Sequence, residues 1–139
     1  MDIKECLEQG LLKEDVPSQD KAFRSLEVAK DHLEKAKTLL KIKIFDMAEV
    51  SVYTAMFHAS RALLFKDGLK ERSHFAVYVY LKEKYSDKIE PRFLNELNVL
   101  RMERHEIFYG LEKTEVNTAS LEKTIALVSE FILKVKELI

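Results

Sequence analysis

Apolar residues return along most of this chain at steps of three and four, the spacing of one helix face, and nowhere alternate for long at a step of two. The densest such stretch is DMAEVSVYTAMFHASRALLFKDG, residues 46–68. Ala48, Val52, Ala55, Ala59 and Ala62 form a seam of small side chains along it, and Tyr53, Phe57 and Leu64 a bulkier second face. Met56 and Leu63 lie beside the seam. A helix apolar on most sides belongs inside a bundle, covered by other helices. Its one polar strip is Ser51, Thr54, His58 and Arg61, and Gly68 is placed to end it.

The same period organises the rest. Residues 1–15 are expected to form a short amphipathic helix with Ile3, Leu7 and Leu11 on one side. Pro17 interrupts, and Ser18 or Asp20 caps a second helix over about 21–41 with the stripe Ala22, Leu26, Ala29, Leu33, Ala36 and Leu40. After the central helix, LKERS reads as a polar connection whose Ser73 caps a helix over roughly 74–85, with Val77, Tyr78, Leu81 and Tyr85 on one face. Pro91 suits the first position of the next helix, which buries Phe93, Leu97 and Leu100 and ends at Gly110. LEKTEV, residues 111–116, reads as a loop, and Asn117 or Thr118 starts a last helix striped by Leu121, Ile125, Val128, Ile132, Val135 and Ile139. Pairs such as Glu34/Lys37 and Glu130/Lys134 read as solvated helix faces. The expected fold is all-α: one domain over 1–139, an up-and-down bundle of four to five helices.

Composition narrows the functional classes. With 139 residues, 47% hydrophobic and 34% charged, the chain can bury a core without disulfides. A net charge of -1 argues against nucleic-acid binding driven by overall charge, so any anion site must be local. Cys6 is alone and reads as a small core residue. Charges interrupt every apolar run, and the N-terminus is too acidic for a secretory signal, so a cytoplasmic location is expected. The aromatic-rich third helix, with Phe75, Tyr78, Tyr80 and Tyr85, carries more rings than a domain of this size covers, which points to a two-fold dimer.

Candidate chemistry gathers in LRMERHEIFYG, residues 100–110. Arg101, His105 and Tyr109 share one ridge at i, i+4 and i+8, whereas Arg104 continues the Leu97–Leu100 side. An arginine on that side either holds a phosphate or carboxylate with fixed donors, or neutralises a buried acid. His58 and Arg61 either face this helix across a site or are satisfied polar groups at a helix or subunit contact. His32 and His74 have no partner at metal-ligand spacing, and no glycine-rich phosphate loop is present.

HLEKAKTLL, then AEVSVYTAMFHASRALLFKDGLKERSH, RHEIFYG and the apolar last helix together resemble the HEPN family of small helical domains. The resemblance implies a bundle that commonly dimerises and is often encoded beside a minimal nucleotidyltransferase, many members being RNases that act as toxins or in defence. In the RNase branch the site is an Arg-x4-6-His motif. Arg104 matches its arginine, but Tyr109 stands where the histidine would, and His105 follows Arg101 after three residues and Arg104 after none. RNA cleavage without a metal needs a group that moves protons near neutral pH, which histidine does and an ordinary tyrosine does not. The departure therefore points to a binding module without cofactor, taking nucleotide or RNA at Arg104, Tyr109, His105, Arg101, His58 and Arg61. The alternatives are an RNase toxin with a degenerate motif and a structural interaction domain.

Overall fold

The computed structural model describes residues 1–113 and 115–139. Its long helices are α2 (Gln19–Lys41), α3 (Phe45–Asp67), α5 (Pro91–Tyr109) and α6 (Thr118–Leu138), with shorter helices α1 (Ile3–Glu8) and α4 (His74–Lys84). The fold is an all-α bundle, with one two-stranded ribbon, β1 (Leu12–Glu14) and β2 (Leu69–Glu71), at its side.

The central helix is as buried as its pattern requires. Ala48, Val52, Ala55, Ala59 and Ala62 are all fully buried, and so are Met56, Leu63 and Leu64. Alanine on both sides lets α2 approach α3 closely, since Ala22, Ala29 and Ala36 of α2 are also buried. The Ser25 hydroxyl reaches across to donate to the carbonyl of His58 at 2.7 Å. Helix α6 adds Leu121, Ile125, Val128, Phe131, Ile132 and Val135 to the same continuous core, and α5 adds Phe93, Leu94, Leu97 and Leu100.

The helix ends follow local chemistry. The Ser18, Ser73 and Asn117 side chains accept from the backbone of Lys21, Ala76 and Ser120, and Pro91 opens α5. Gly68 closes α3 in the left-handed conformation, φ +84°, with its N–H turned back onto the Leu64 and Phe65 carbonyls.

The N-terminal segment differs from its expectation. The first helix stops at Glu8 because Gly10 takes φ +74° and the Leu11 N–H folds back onto the Cys6 carbonyl at 2.8 Å. Leu11 is therefore off the helix, and Leu12–Glu14 runs antiparallel to Leu69–Glu71, inside the stretch read as a polar connection. Two identical Leu-Lys-Glu triplets pair here, with Leu12 opposite Glu71 and Glu14 opposite Leu69. Three residues are too few to register as alternation. The third helix also covers more of its aromatics than expected. Tyr80 and Tyr85 are buried, and both hydroxyls donate to Asp67, at 2.7 and 2.5 Å. Phe75 stays exposed and Tyr78 half-exposed, so the inference of a dimer from uncovered rings loses half its support. On the surface Glu34 and Lys37 pair at 2.8 Å, whereas Glu130 takes Arg92 at 2.7 Å and Lys134 leans toward Glu137. Ile139 lies past the end of α6. Within the loop at 111–116, Thr114 lies outside the described residues, and the others form neither helix nor strand. No described helix is long and apolar enough to cross a membrane.

Candidate functional site

Three helices bring the polar strip of α3 together with residues far away in sequence. His74, the first residue of α4, sits with Nδ1 2.7 Å from the Tyr53 hydroxyl, and its ring lies 4.2 Å from that of Phe57. When Nδ1 is unprotonated the phenol donates this hydrogen bond. Burial is the main influence lowering the His74 pKa, followed by the positive charges of Arg104, Arg101 and Arg61. The same two α5 arginines act on Tyr53, whose hydroxyl burial holds in the neutral form. His74 thus lies where α3 and α5 both present guanidinium groups.

The α3 side of this cluster is locked in place. The Arg61 guanidinium lies 2.7 Å from a Glu71 oxygen, and it donates to His58 Nδ1 at 3.3 Å. The Arg61 Nε–H is not aimed at that Glu71 oxygen, and the second Glu71 oxygen is buried without a partner, so the attraction here is coulombic more than a straight hydrogen bond. The ribbon explains why Glu71 is available: β2 follows directly on Gly68 and returns it beside α3. Arg61 also covers the Phe65 ring at 4.9 Å. His58 stacks almost parallel on His32, with ring centroids 5.5 Å apart. Burial first, then Arg61, His32 and His74, push the His58 pKa down to about 4, so its ring is uncharged at neutral pH. A cleft of about 260 Å³ opens beside it, lined by Lys21, Arg24, Ser25, Val28, His58, Arg61 and Phe65.

The α5 side is different. Arg101 is held by Asn98 Oδ1 at 2.9 and 3.2 Å and lies 5.2 Å over the Phe75 ring. Arg104 lies 5.2 Å over Phe108. Among the described residues neither arginine has a carboxylate within 4 Å, and both are half-exposed. The alternative role for Arg104, neutralising a buried acid, therefore finds no acid. Two guanidinium groups without carboxylate partners, both acting on His74, suit a phosphate or carboxylate.

Two of the residues singled out in the sequence stand apart. His105 is exposed, and Tyr109, 69% exposed, packs on it with ring centroids 4.9 Å apart. Helix α5 runs unbroken to Tyr109, and the Gly110 N–H still donates to the Glu106 carbonyl at 2.8 Å. Without loosening of that last turn, Tyr109 and Arg104 do not share a cleft within one chain. Conversely, Tyr53 and His74 join the cluster although neither stood out as a site residue. A signal for His74 was present: it closes the G-L-x-x-x-S-H run that follows the central helix.

The HEPN domain profile matches this chain over residues 22–138, which includes every residue of the cluster. Among curated proteins, the chain is similar to one from Methanocaldococcus jannaschii named "Putative toxin MJ0605". The two are 29% identical over 99 residues, covering 67% of this chain and 72% of that protein.

Proposed function

This chain belongs to the HEPN domain family, and from that premise we propose that it is a toxin-like module that binds the phosphates of a nucleotide or RNA. Its site is the cluster of Arg61, Arg101 and Arg104 around His74, with Tyr53 and Phe57 as its aromatic floor. The toxin side of the reading rests on the name of the archaeal relative. A minimal nucleotidyltransferase is the partner we propose, and a second copy of the chain its companion in solution; both follow from the family and not from any contact described above.

The observation that carries the reading is the pair of arginines without carboxylate partners, Arg101 and Arg104, whose charges both reach His74 and help lower its pKa. Cations left unpaired on a half-covered helix are donors waiting for an anion. Binding is favoured over RNA cleavage for a physical reason. A general acid must hold a proton near neutral pH, and a histidine with a pKa of about 4, such as His58, holds very little there. His105, the histidine on the α5 ridge, is exposed and packs on the equally exposed Tyr109.

Titration of the parent protein and Arg104→Ala with inorganic pyrophosphate, AMP and a short single-stranded oligoribonucleotide tests the proposal. The parent should bind at least one of the three, and the variant should bind it about tenfold to a hundredfold more weakly, the worth of one or two charged hydrogen bonds. The melting temperature should hardly move, because Arg104 neutralises no acid. Failure of the parent to bind any of the three at millimolar concentration overturns the reading. So does a variant that loses several kcal/mol of stability while binding as before. Light scattering of the same sample at micromolar concentration tests the dimer.

A further inference from the structure

Helix α4 turns one side to the core, through Ala76, Val77, Tyr80 and Leu81, and leaves another side open. Phe75, Tyr78, Val79, Lys82 and Glu83 recur at steps of three and four, so they share one side of the helix. With Met1 they line a groove of about 430 Å³, a volume typical of small-molecule sites. Its open rings are Phe75, 37% exposed, and the half-exposed Tyr78, with centroids 6.2 Å apart. Lys82 and Glu83, both exposed, add a donor and an acceptor. Among the described residues neither has an ion-pair partner.

Phe75 joins this groove to the arginines of α5. The Arg101 guanidinium lies 5.2 Å from the centre of the Phe75 ring, and Asn98 takes only its Nε–H and one N–H of Nη2. Among the described residues the other N–H groups of Arg101 are left for an anion. Open rings take a flat apolar group and a neighbouring guanidinium takes a phosphate; a nucleotide carries both in one molecule. We propose that the groove holds the base of a purine nucleotide, free or within an RNA strand, stacked on Phe75 and Tyr78 with its phosphate on Arg101. The phosphate end rests on the function proposed above; the base end does not. The Lys82 ammonium lies 5.7 Å from the centre of the Tyr78 ring. A cation over an exposed ring is held weakly, so a stacked base displaces it. Lys82 then donates to a ring nitrogen or carbonyl of the base, and Glu83 accepts from its amino group. The two fused rings of a purine offer more area to this pair of aromatics than the single ring of a pyrimidine.

The test titrates the full chain with AMP, CMP, adenosine, ribose 5-phosphate and a short oligoadenylate. AMP should bind about tenfold more tightly than ribose 5-phosphate, which carries a phosphate but no base, that being the worth of one stacked base. By NMR the Phe75 and Tyr78 ring protons should shift with AMP and stay still with ribose 5-phosphate. Phe75→Leu keeps the apolar bulk without the ring, and should lose about tenfold for AMP while holding ribose 5-phosphate as before. Tyr78→Leu should do the same, and it leaves the ring under Arg101 in place. Arg101→Ala should weaken AMP and ribose 5-phosphate by the same factor. An oligoadenylate bound about tenfold more tightly than AMP identifies a strand as the ligand and one bound no more tightly a free nucleotide; either sustains the groove if the two rings shift. AMP and ribose 5-phosphate bound equally well overturn the base site and leave the phosphate site standing. CMP bound as tightly as AMP overturns the purine assignment. Adenosine that shifts both rings, in a protein that binds no ribose 5-phosphate, sustains the base site and overturns the phosphate site. Leucine variants that turn a dimer into a monomer by light scattering, with AMP affinity unchanged, give this side of α4 to a second copy of the chain and overturn the proposal.

Discussion

His58 gives the most direct handle on the energetics of the cluster. Its pKa is pushed down from 6.5 to about 4 by burial and by Arg61, His32 and His74, so the folded state favours the uncharged ring. A histidine lowered in this way supplies stability that is fully present above its unfolded value and is lost as the pH falls through its folded one. The window therefore runs from about pH 6.5 down to about pH 4. At roughly 1.4 kcal/mol for each pH unit of that gap the ceiling is about 3 kcal/mol. His58 is half-buried beside an open cleft, so solvent screening brings the expected loss to about 2 kcal/mol. Glutamine at this position retains an acceptor for Arg61 but no titrating ring. His58→Gln should lose on the order of 1 kcal/mol at pH 7.5, where it forfeits the stack on His32. Between pH 7.5 and pH 4 its stability should fall by about 2 kcal/mol less than that of the parent. Urea denaturation of both proteins at four or five pH values measures this difference, and subtraction removes His74 and Glu49, which titrate in both. A parent-minus-variant difference that does not change with pH would refute the reasoning. A His58 ring that titrates near 6.5 by NMR would refute it too.

Two further predictions concern the scaffold. Ala59→Leu, or Ala55→Leu, forces three extra carbons into a seam with no exposed surface, and should cost on the order of 1–3 kcal/mol; an unchanged urea midpoint in both would mean that the seam is not packed as described. Gly68→Ala should cost roughly 2–3 kcal/mol, because the residue sits at φ +84° and its new Cβ would lie 2.8 Å from Pro17 Cγ and 2.9 Å from the Asp15 carbonyl. Gly10→Ala is its control, with a similar φ and nothing within 4 Å, and should cost about 1 kcal/mol. Equal losses in the two glycine variants would show that the close approach of Pro17 is unimportant.

What was legible in the sequence was what repeats. The limits of α3, the caps at Ser18, Ser73 and Asn117, and the buried stripes of α2 and α6 all follow from periodicity and end signals, which act within a few residues. What was not legible depends on contacts between distant segments. The Leu12–Glu14 strand exists only because Leu69–Glu71 is held alongside it, and the buried Tyr80 and Tyr85 hydroxyls are satisfied by Asp67, 13 and 18 residues away. The site divides along the same line. Helical spacing places His58 and Arg61 on one strip of α3 and Arg104 on the Leu97–Leu100 side of α5, where it is half-exposed, whereas the Tyr53–His74 hydrogen bond spans 21 residues and two helices and has no period to betray it. Glu49 falls between these cases. It sits one residue after Ala48, in a helix apolar on nearly every side, and a charge there has either a partner or a bound proton. Which of the two applies depends on α5, and α5 presents Glu103 and Glu96 in place of a lysine. The helix that offers the arginines without carboxylate partners is thus also the one that leaves Glu49 without a cation.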